Sequence, residues 1–389
     1  MSTAPKTSLL FVLIASGTVL GIAGTDLVLP AIPSLPLQLG GTVEIAQLVL
    51  AAYVFGTLVG LLIFGELGAR FDSCMLLVAS LALFGVASLA AAASPSIEWL
   101  IVLRFTQGAF GSAPAVFAPG FIQGLYPQDK AASAMGRLGS IESLAPALAP
   151  IAGAYLLEIG SWKLSFLILA LLAALVGAAI LWQQAYFPRP AQKLQSHSGY
   201  LAILKNIEFV SYASSQALSL GALLVFVFGA PAVLTGPLDK EIRDFVILQV
   251  FGIVAFILAA NSSAWLAMKF GTLRTIRAGT TIMPVAFLAI LIYALAEGKN
   301  LYVLVPMWVV VNFGFGIRGP IGFHRAIIAA RGDPSRAAAI VVAAILSVAT
   351  FGTVVVAPYI LVGLWPLTIA SAIFSALAMV SLTPLRNSN

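Results

Sequence analysis

Four ionisable side chains stand where an apolar chain has least use for them. Asp26, Arg104, Glu142 and Arg318 each lie inside a long, mainly apolar run. A carboxylate kept away from water exchanges one proton for a large change in its cost of burial. A guanidinium in the same setting is a fixed cation with five N–H donors, suited to a carboxylate or a carbonyl cluster. Ionisable groups at membrane depth mark substrate or proton pathways by default. Each also has a plainer reading. Asp26 could cap or snorkel at the outer interface, Arg104 could pin helices through backbone carbonyls, Glu142 could be structural, and Arg318 could anchor the inner interface. His324, beside Arg325, reads as an interfacial residue.

The runs that carry these groups are spanning helices. The chain has 389 residues, 61% of them hydrophobic and only 9% charged. Soluble domains carry about 25% charged residues. Twelve segments approach the ~20 residues a spanning helix needs: 8–33, 43–65, 74–94, 97–122, 133–157, 162–184, 207–233, 244–268, 275–296, 301–325, 336–361 and 364–384. The runs are too long and too uniform for the alternating strands of an outer-membrane barrel. The first run, led by Lys6, is too long for a secretory signal and is read as an uncleaved span. The expected fold is an all-α integral membrane protein with twelve transmembrane helices in two pseudo-symmetric halves of six. Those halves are 1–185 and 207–389, joined by a cytoplasmic linker, 186–206.

Charge sets the orientation. With the N-terminus in the cytoplasm, fourteen of the twenty Lys and Arg residues fall on the cytoplasmic side, including Lys130, Arg137, Arg189, Lys193, Arg274, Arg277, Arg331 and Arg386. Lys163, Lys240, Arg243 and Lys299 fall outside. Both termini are therefore expected in the cytoplasm. The formal charge of +6 belongs to this bias, because no basic cluster fit for nucleic acid occurs. Asp26 lies about 18 residues into the first span and Arg104 about 6 into the fourth from the opposite side, which places both in the outer part of the membrane at ~1.5 Å per residue. An Asp26–Arg104 pair is expected if those spans are neighbours. Glu142 lies near mid-depth. Glu142, Pro146, Pro150 and Gly153 share one face of span five, which is expected to pack tightly against another span and to bend. In the second half the polar groups are Gln216, Gln249, Asn312 and Arg318. They could line a permissive cavity or simply hydrogen-bond between helices.

Several motifs along the whole chain resemble the major facilitator superfamily, and within it the Bcr/CflA-type drug:proton antiporters. "DLVLPAIPSL" resembles the span-one signature D-x-x-L-P-A-I-P. "LRFTQGAFGSA" resembles the span-four R-x-x-Q-G motif, in which the arginine is implicated in proton transfer. "APALAPIAGAYL" with Trp162 and Phe166 resembles the span-five antiporter motif and the G-W-R-x-x-F that follows it. The loop after span two is degraded. Against G-x-L-[AS]-D-R-x-G-R-[KR] the chain reads "GELGARFDSC", so Gly65, Leu67 and Arg70 match. Ala69 replaces the acid, Asp72 the second glycine, and Ser73 and Cys74 the basic pair. In the family this loop latches one conformation through charge contacts, so here Asp72 or Glu66 would have to rebuild it.

The resemblance implies alternating access, with proton entry driving export of a drug or metabolite from the bacterial cytoplasm by a monomer. The expected proton-coupling residues are Asp26, Glu142 and Arg104. The expected substrate-binding set is Asp26, Tyr53, Arg104, Gln107, Gln216, Gln249, Asn312 and Arg318. The expected switching set is Gly65, Leu67, Arg70, Asp72, Pro146, Pro150 and Gly153. A carboxylate suits cationic or lipophilic substrates, whereas the two arginines suit an organic acid or carboxylate siderophore. The partners expected are substrate, protons and lipid, with no cofactor, metal or nucleic acid. An enzyme reading lacks H-E-x-x-H, and a nucleotide-driven pump lacks G-x-x-x-x-G-K-[ST]. A channel reading lacks a filter-like re-entrant stretch. The orientation has a direct check. In a Cys74→Ser background, a cysteine at Ser198 is expected to react with a membrane-impermeant maleimide in inside-out vesicles and to resist it in intact cells.

Overall fold

The computed structural model describes residues 4–68, 70–188, 203–330 and 334–385. Every regular element among them is helical. That is the expected outcome where backbone N–H and C=O groups have no water to bond. The chain divides into two compact units, Met1–Leu194 and Gln195–Asn389. Most of the linker expected at 186–206, with Arg189, Lys193 and His197, lies outside the described residues, as do Ala69, Arg331 and Arg386.

The first unit holds α1 (Ala4–Asp26), α2 (Leu35–Leu39), α3 (Val43–Leu67), α4 (Ser73–Ala92), α5 (Ile97–Gly111), α6 (Ala113–Leu125), α7 (Gln128–Ile159) and α8 (Trp162–Trp182). The second holds α9 (Ile207–Thr235), α10 (Ile242–Phe270), α11 (Thr272–Leu295), α12 (Leu301–Ala329), α13 (Pro334–Val356) and α14 (Leu364–Val380). Eleven helical stretches are long and apolar enough to cross a membrane, with α5 and α6 together making one of them. The twelfth expected span, 364–384, is the 17-residue α14, a little short of a full crossing.

Span one differs most from expectation. The α-helix stops at Asp26, and the chain continues as a tighter 3-10 turn over Leu29–Ser34 before α2. Pro30 and Pro33 lack the N–H groups that an α-helix would need there. The turn is buried all the same, with Val28, Leu29 and Ile32 fully enclosed.

The helices are started by side chains that accept from free N–H groups. Thr42 accepts from Ile45 N, Asp72 from Met75 N, Asn206 from Glu208 N and Asn300 from Tyr302 N. Glycines then set the closest packing. Gly56 and Gly60, one turn apart on α3, abut the Phe105 and Ala109 carbonyls of α5, while Gly108 of α5 abuts the Tyr53 carbonyl. The two backbones touch, as small-residue seams in membranes allow. The second unit repeats the device between α10 and α12, where Gly316 packs on the Phe256 carbonyl and Gly252 on Trp308 and Asn312. Gly279 and Gly314 face each other's carbonyls between α11 and α12.

A side chain at Gly56 must force α3 off α5, an overpacking cost of about 1–3 kcal/mol or more. Gly56→Val is therefore expected to lower the melting temperature of the detergent-solubilised protein by several degrees. Gly65, with open space around its α-carbon, gives the opposite expectation. Gly65→Ala should leave that temperature unchanged or raise it, because a helical glycine carries about 0.5–1 kcal/mol of extra backbone entropy.

Candidate functional site

In the first unit the polar groups gather around Arg104. Its side chain is fully buried, so the protein must supply what water does not. Nη1 donates to the Gly24 carbonyl at 2.9 Å and to Gln107 Oε1 at 2.7 Å. Nε donates more weakly to the Val49 carbonyl at 3.4 Å. The guanidinium lies over the Tyr53 ring, 4.1 Å from its centre, with the Phe166 ring at 5.6 Å. Such faces attract cations. The network runs on, with Gln107 Nε2 donating to Ser88 Oγ at 2.7 Å and Ser88 to the Phe84 carbonyl at 2.7 Å. Tyr53 is fixed from below by donating to the Gly21 carbonyl at 2.6 Å. One arginine thereby ties together α1, α3, α4, α5 and α8.

Asp26 ends α1 beside this network. It is 8% exposed and sits at the carboxyl end of a helix, where the backbone dipole favours cations. The direct ion pair expected with Arg104 does not form among the described residues. Arg104 Nε and Nη1 are engaged by carbonyls and Gln107, while Nη2 has no hydrogen-bond partner among the described residues. Asp26 still acts on Arg104 and on Tyr53 through its charge, and its carboxyl takes up no hydrogen bond from a described side chain. Backbone pinning and proximity to an acid, posed above as alternatives for Arg104, therefore coexist in one place.

Glu142 stands apart. It is half-buried on α7 near Thr18, whose hydroxyl donates to the Ala15 carbonyl at 3.0 Å. Thr18 lies eight positions before Asp26, about 12 Å along α1, so the two acids do not form one cluster. The expected seam on α7 is only partly made. Gly153 packs against the Leu27 carbonyl and Pro150 is buried, but Pro146 is exposed. Periodicity placed these residues on one face without saying how far that face is covered. The helix runs through both prolines.

The loop after α3 uses its charges locally. Glu66 accepts from Arg70 at 2.7 Å in an exposed pair one turn apart, and Asp72 caps α4. Neither acid stands free for a longer-range latch within this unit, and Leu67 ends α3.

In the second unit Arg318 is also fully buried, which excludes the interface-anchor reading. Nη1 donates to Gln216 Oε1 at 2.8 Å and Nη2 to Ser215 Oγ at 3.1 Å, joining α12 to α9. Asn312, two turns earlier, donates to the Trp308 carbonyl at 2.9 Å and faces Gly252 of α10, one turn from Gln249. Trp308 is stacked on Phe226 with ring centres 4.5 Å apart. His324 is exposed and Arg325 faces Glu208 at 3.8 Å. Residues that sequence reading missed are Ser88, Ser215 and Trp308, while Phe166 stood only in a motif and not in the site. Only the adjacency of Ser215 to Gln216 offered a signal. An apolar cleft of about 600 Å³ lies between α11 and α12, lined by Ala278, Thr281, Ile282, Val285, Met307 and Val310. It holds none of these groups.

The comparisons with known proteins agree with this architecture. The Major Facilitator Superfamily profile matches residues 14–357. A bicyclomycin resistance protein homolog from Haemophilus influenzae is 23% identical over 279 residues, covering 70% of each chain. A chloramphenicol resistance protein from Pseudomonas aeruginosa is 28% identical over 298 residues, covering 76% of this chain and 70% of that one. Among solved structures, a D-xylose-proton symporter aligns with a TM-score of 0.72 at 15% identity, covering 95% of this chain and 96% of that one. A multi-pass helical protein with this profile along most of its length is a transporter and not an enzyme: the chain belongs to the major facilitator superfamily.

Proposed function

We propose that this protein is a proton-coupled exporter of a small drug or metabolite, working by alternating access in a bacterial cytoplasmic membrane. The observation that carries the reading is the state of Asp26. It is a buried carboxyl beside a fully buried arginine, with no hydrogen bond of its own from a described side chain. Arg104 is held by carbonyls, Gln107 and the Tyr53 ring, so it stays put while Asp26 gains or loses a proton. Loss of the proton leaves a charge attracted to Arg104. Gain of the proton removes the cost of burying that charge in a dry arrangement. Two conformations that differ in how wet Asp26 is would therefore differ in proton affinity, which is the coupling an antiporter needs. Glu142, near Thr18, is the second candidate. The direction of transport rests on the relatives named as resistance proteins.

The test is substrate flux driven by a pH gradient in proteoliposomes. Asp26→Asn is expected to lower it by about tenfold or more, the effect of ~1.4 kcal/mol on a rate, while leaving substrate exchange without a gradient measurable. Glu142→Gln should have the smaller effect. Arg104→Lys keeps the charge but not the planar fork, and should impair both flux and thermal stability. Full gradient-driven flux in Asp26→Asn would overturn the Asp26 assignment. Full flux in both acid variants would overturn coupling through these acids and leave an uncoupled facilitator.

A further inference from the structure

The cleft between α11 and α12 has a shape and a charge that the transport site does not use. Its α11 wall is built from Ala278, Thr281, Val285 and Ala289, and its α12 wall from Met307 and Val310. The α11 positions recur every three or four residues and so form one stripe along the helix. The alanines leave room that longer side chains would fill. The cleft opens outward, because Val285 and Val310 are 62% and 45% exposed. At membrane depth an outward opening meets lipid and not water. From Ala278 to Ala289, eleven steps of ~1.5 Å give about 16 Å. Half of a hydrocarbon core is about 15 Å, so the cleft has the length of one acyl chain.

One end of the stripe is charged. Arg274 precedes Ala278 by one turn on the same face of α11 and is exposed. Its guanidinium makes no hydrogen bond or ion pair with a described residue. Lys269, over the Trp265 and Phe270 rings at 4.9 and 5.3 Å, stands at the adjoining end of α10. Arg277 donates to the Leu382 and Leu385 carbonyls. Successive spans reverse direction, so the start of α9 lies at this end too, and its Glu208 already faces Arg325 at 3.8 Å. The other described acids of the unit, Asp239, Glu241, Asp244 and Glu297, lie at the opposite end. The mouth of the cleft is therefore positive, and no described acid answers Arg274.

We propose that the α11–α12 cleft binds one anionic phospholipid, with an acyl chain along the stripe and the phosphate on Arg274, supported by the charge of Lys269. Basic residues at the end of an interhelical groove suit such a headgroup. A free phosphate would use the cation but not the apolar wall. A neutral lipid would use the wall but not the cation. The site goes beyond the exporter reading and shares no residue with it, so either can fail alone.

The experiment is thermal unfolding of the detergent-purified full-length chain with added dioleoyl phosphatidylglycerol, dioleoyl phosphatidylcholine or inorganic phosphate at matched ionic strength. Phosphatidylglycerol is expected to raise the melting temperature saturably, with no such response to the other two. Arg274→Gln should weaken apparent phosphatidylglycerol binding about fivefold, as for one cation lost at an anionic surface. Ala278→Phe fills the cleft without touching the charge and should weaken that binding as well. A phosphatidylglycerol with a photoreactive acyl chain should label the wild-type chain on α11 and α12, which keeps the test decisive if a variant folds poorly. Equal stabilisation by phosphatidylcholine would overturn the role of Arg274, and a response to phosphate alone would overturn the lipid. An unchanged response in Ala278→Phe, or labelling only on other helices, would overturn the cleft as the site.

Discussion

A guanidinium at membrane depth has no water to complete its hydrogen bonds, so the chain must do it. That constraint organises the first half around Arg104. Carbonyls from α1 and α3 and an amide on its own helix meet Nε and Nη1, two aromatic ring faces meet the charge, and Nη2 has no hydrogen-bond partner among the described residues. Those contacts require helices to approach within side-chain reach, and the glycines at 56, 60 and 108 permit it. The end of α1 is where its carbonyls become free to accept, and Gly24 gives one of them to the arginine. Asp26 is left within electrostatic reach of the arginine without a direct ion pair.

The second half meets the same constraint with different groups, and each arginine keeps one nitrogen without a partner among the described residues, Nη2 of Arg104 and Nε of Arg318. Arg318 is met by two neutral oxygens from adjacent residues of α9, and its Nε is unmatched. The halves share an architectural plan, with an arginine on the fourth span of each and glycine seams between the second and fourth spans, but the electrostatics diverge. One half keeps an acid beside its arginine, and in the other the described partners of the arginine are neutral. A duplicated scaffold can thus diverge, with a buried carboxyl near the arginine of one half and neutral groups on the arginine of the other.

Much of this was legible in the sequence because membrane burial writes strong signals. Runs of apolar residues located the spans, and Asp26, Arg104, Glu142 and Arg318 stood out by charge alone. What the sequence hid was partnership. Ser88 and Ser215 are small polar residues of a kind scattered along every span, and only the fold brings them to Gln107 and Arg318. Depth along two helices suggested that Asp26 and Arg104 would pair, but depth does not reveal that carbonyls take Nε and Nη1 while the acid stays at electrostatic distance. Periodicity aligned Pro146 with Gly153, but the neighbour covers only the Gly153 end.

The α3–α5 seam has a mechanical consequence. Contacts between side chains can be remade in another rotamer, but a contact between two backbones has no alternative packing. Helices α3 and α5 therefore behave as one welded beam, with Arg104 bolted across it. Any bending within this half has to be absorbed where that beam ends. One such place is the break at Ser112, where α5 gives way to α6. The other is the Gly40–Gly41 pair, whose positive φ angles of 75° and 84° leave the chain ahead of α3 without a side chain to brace it.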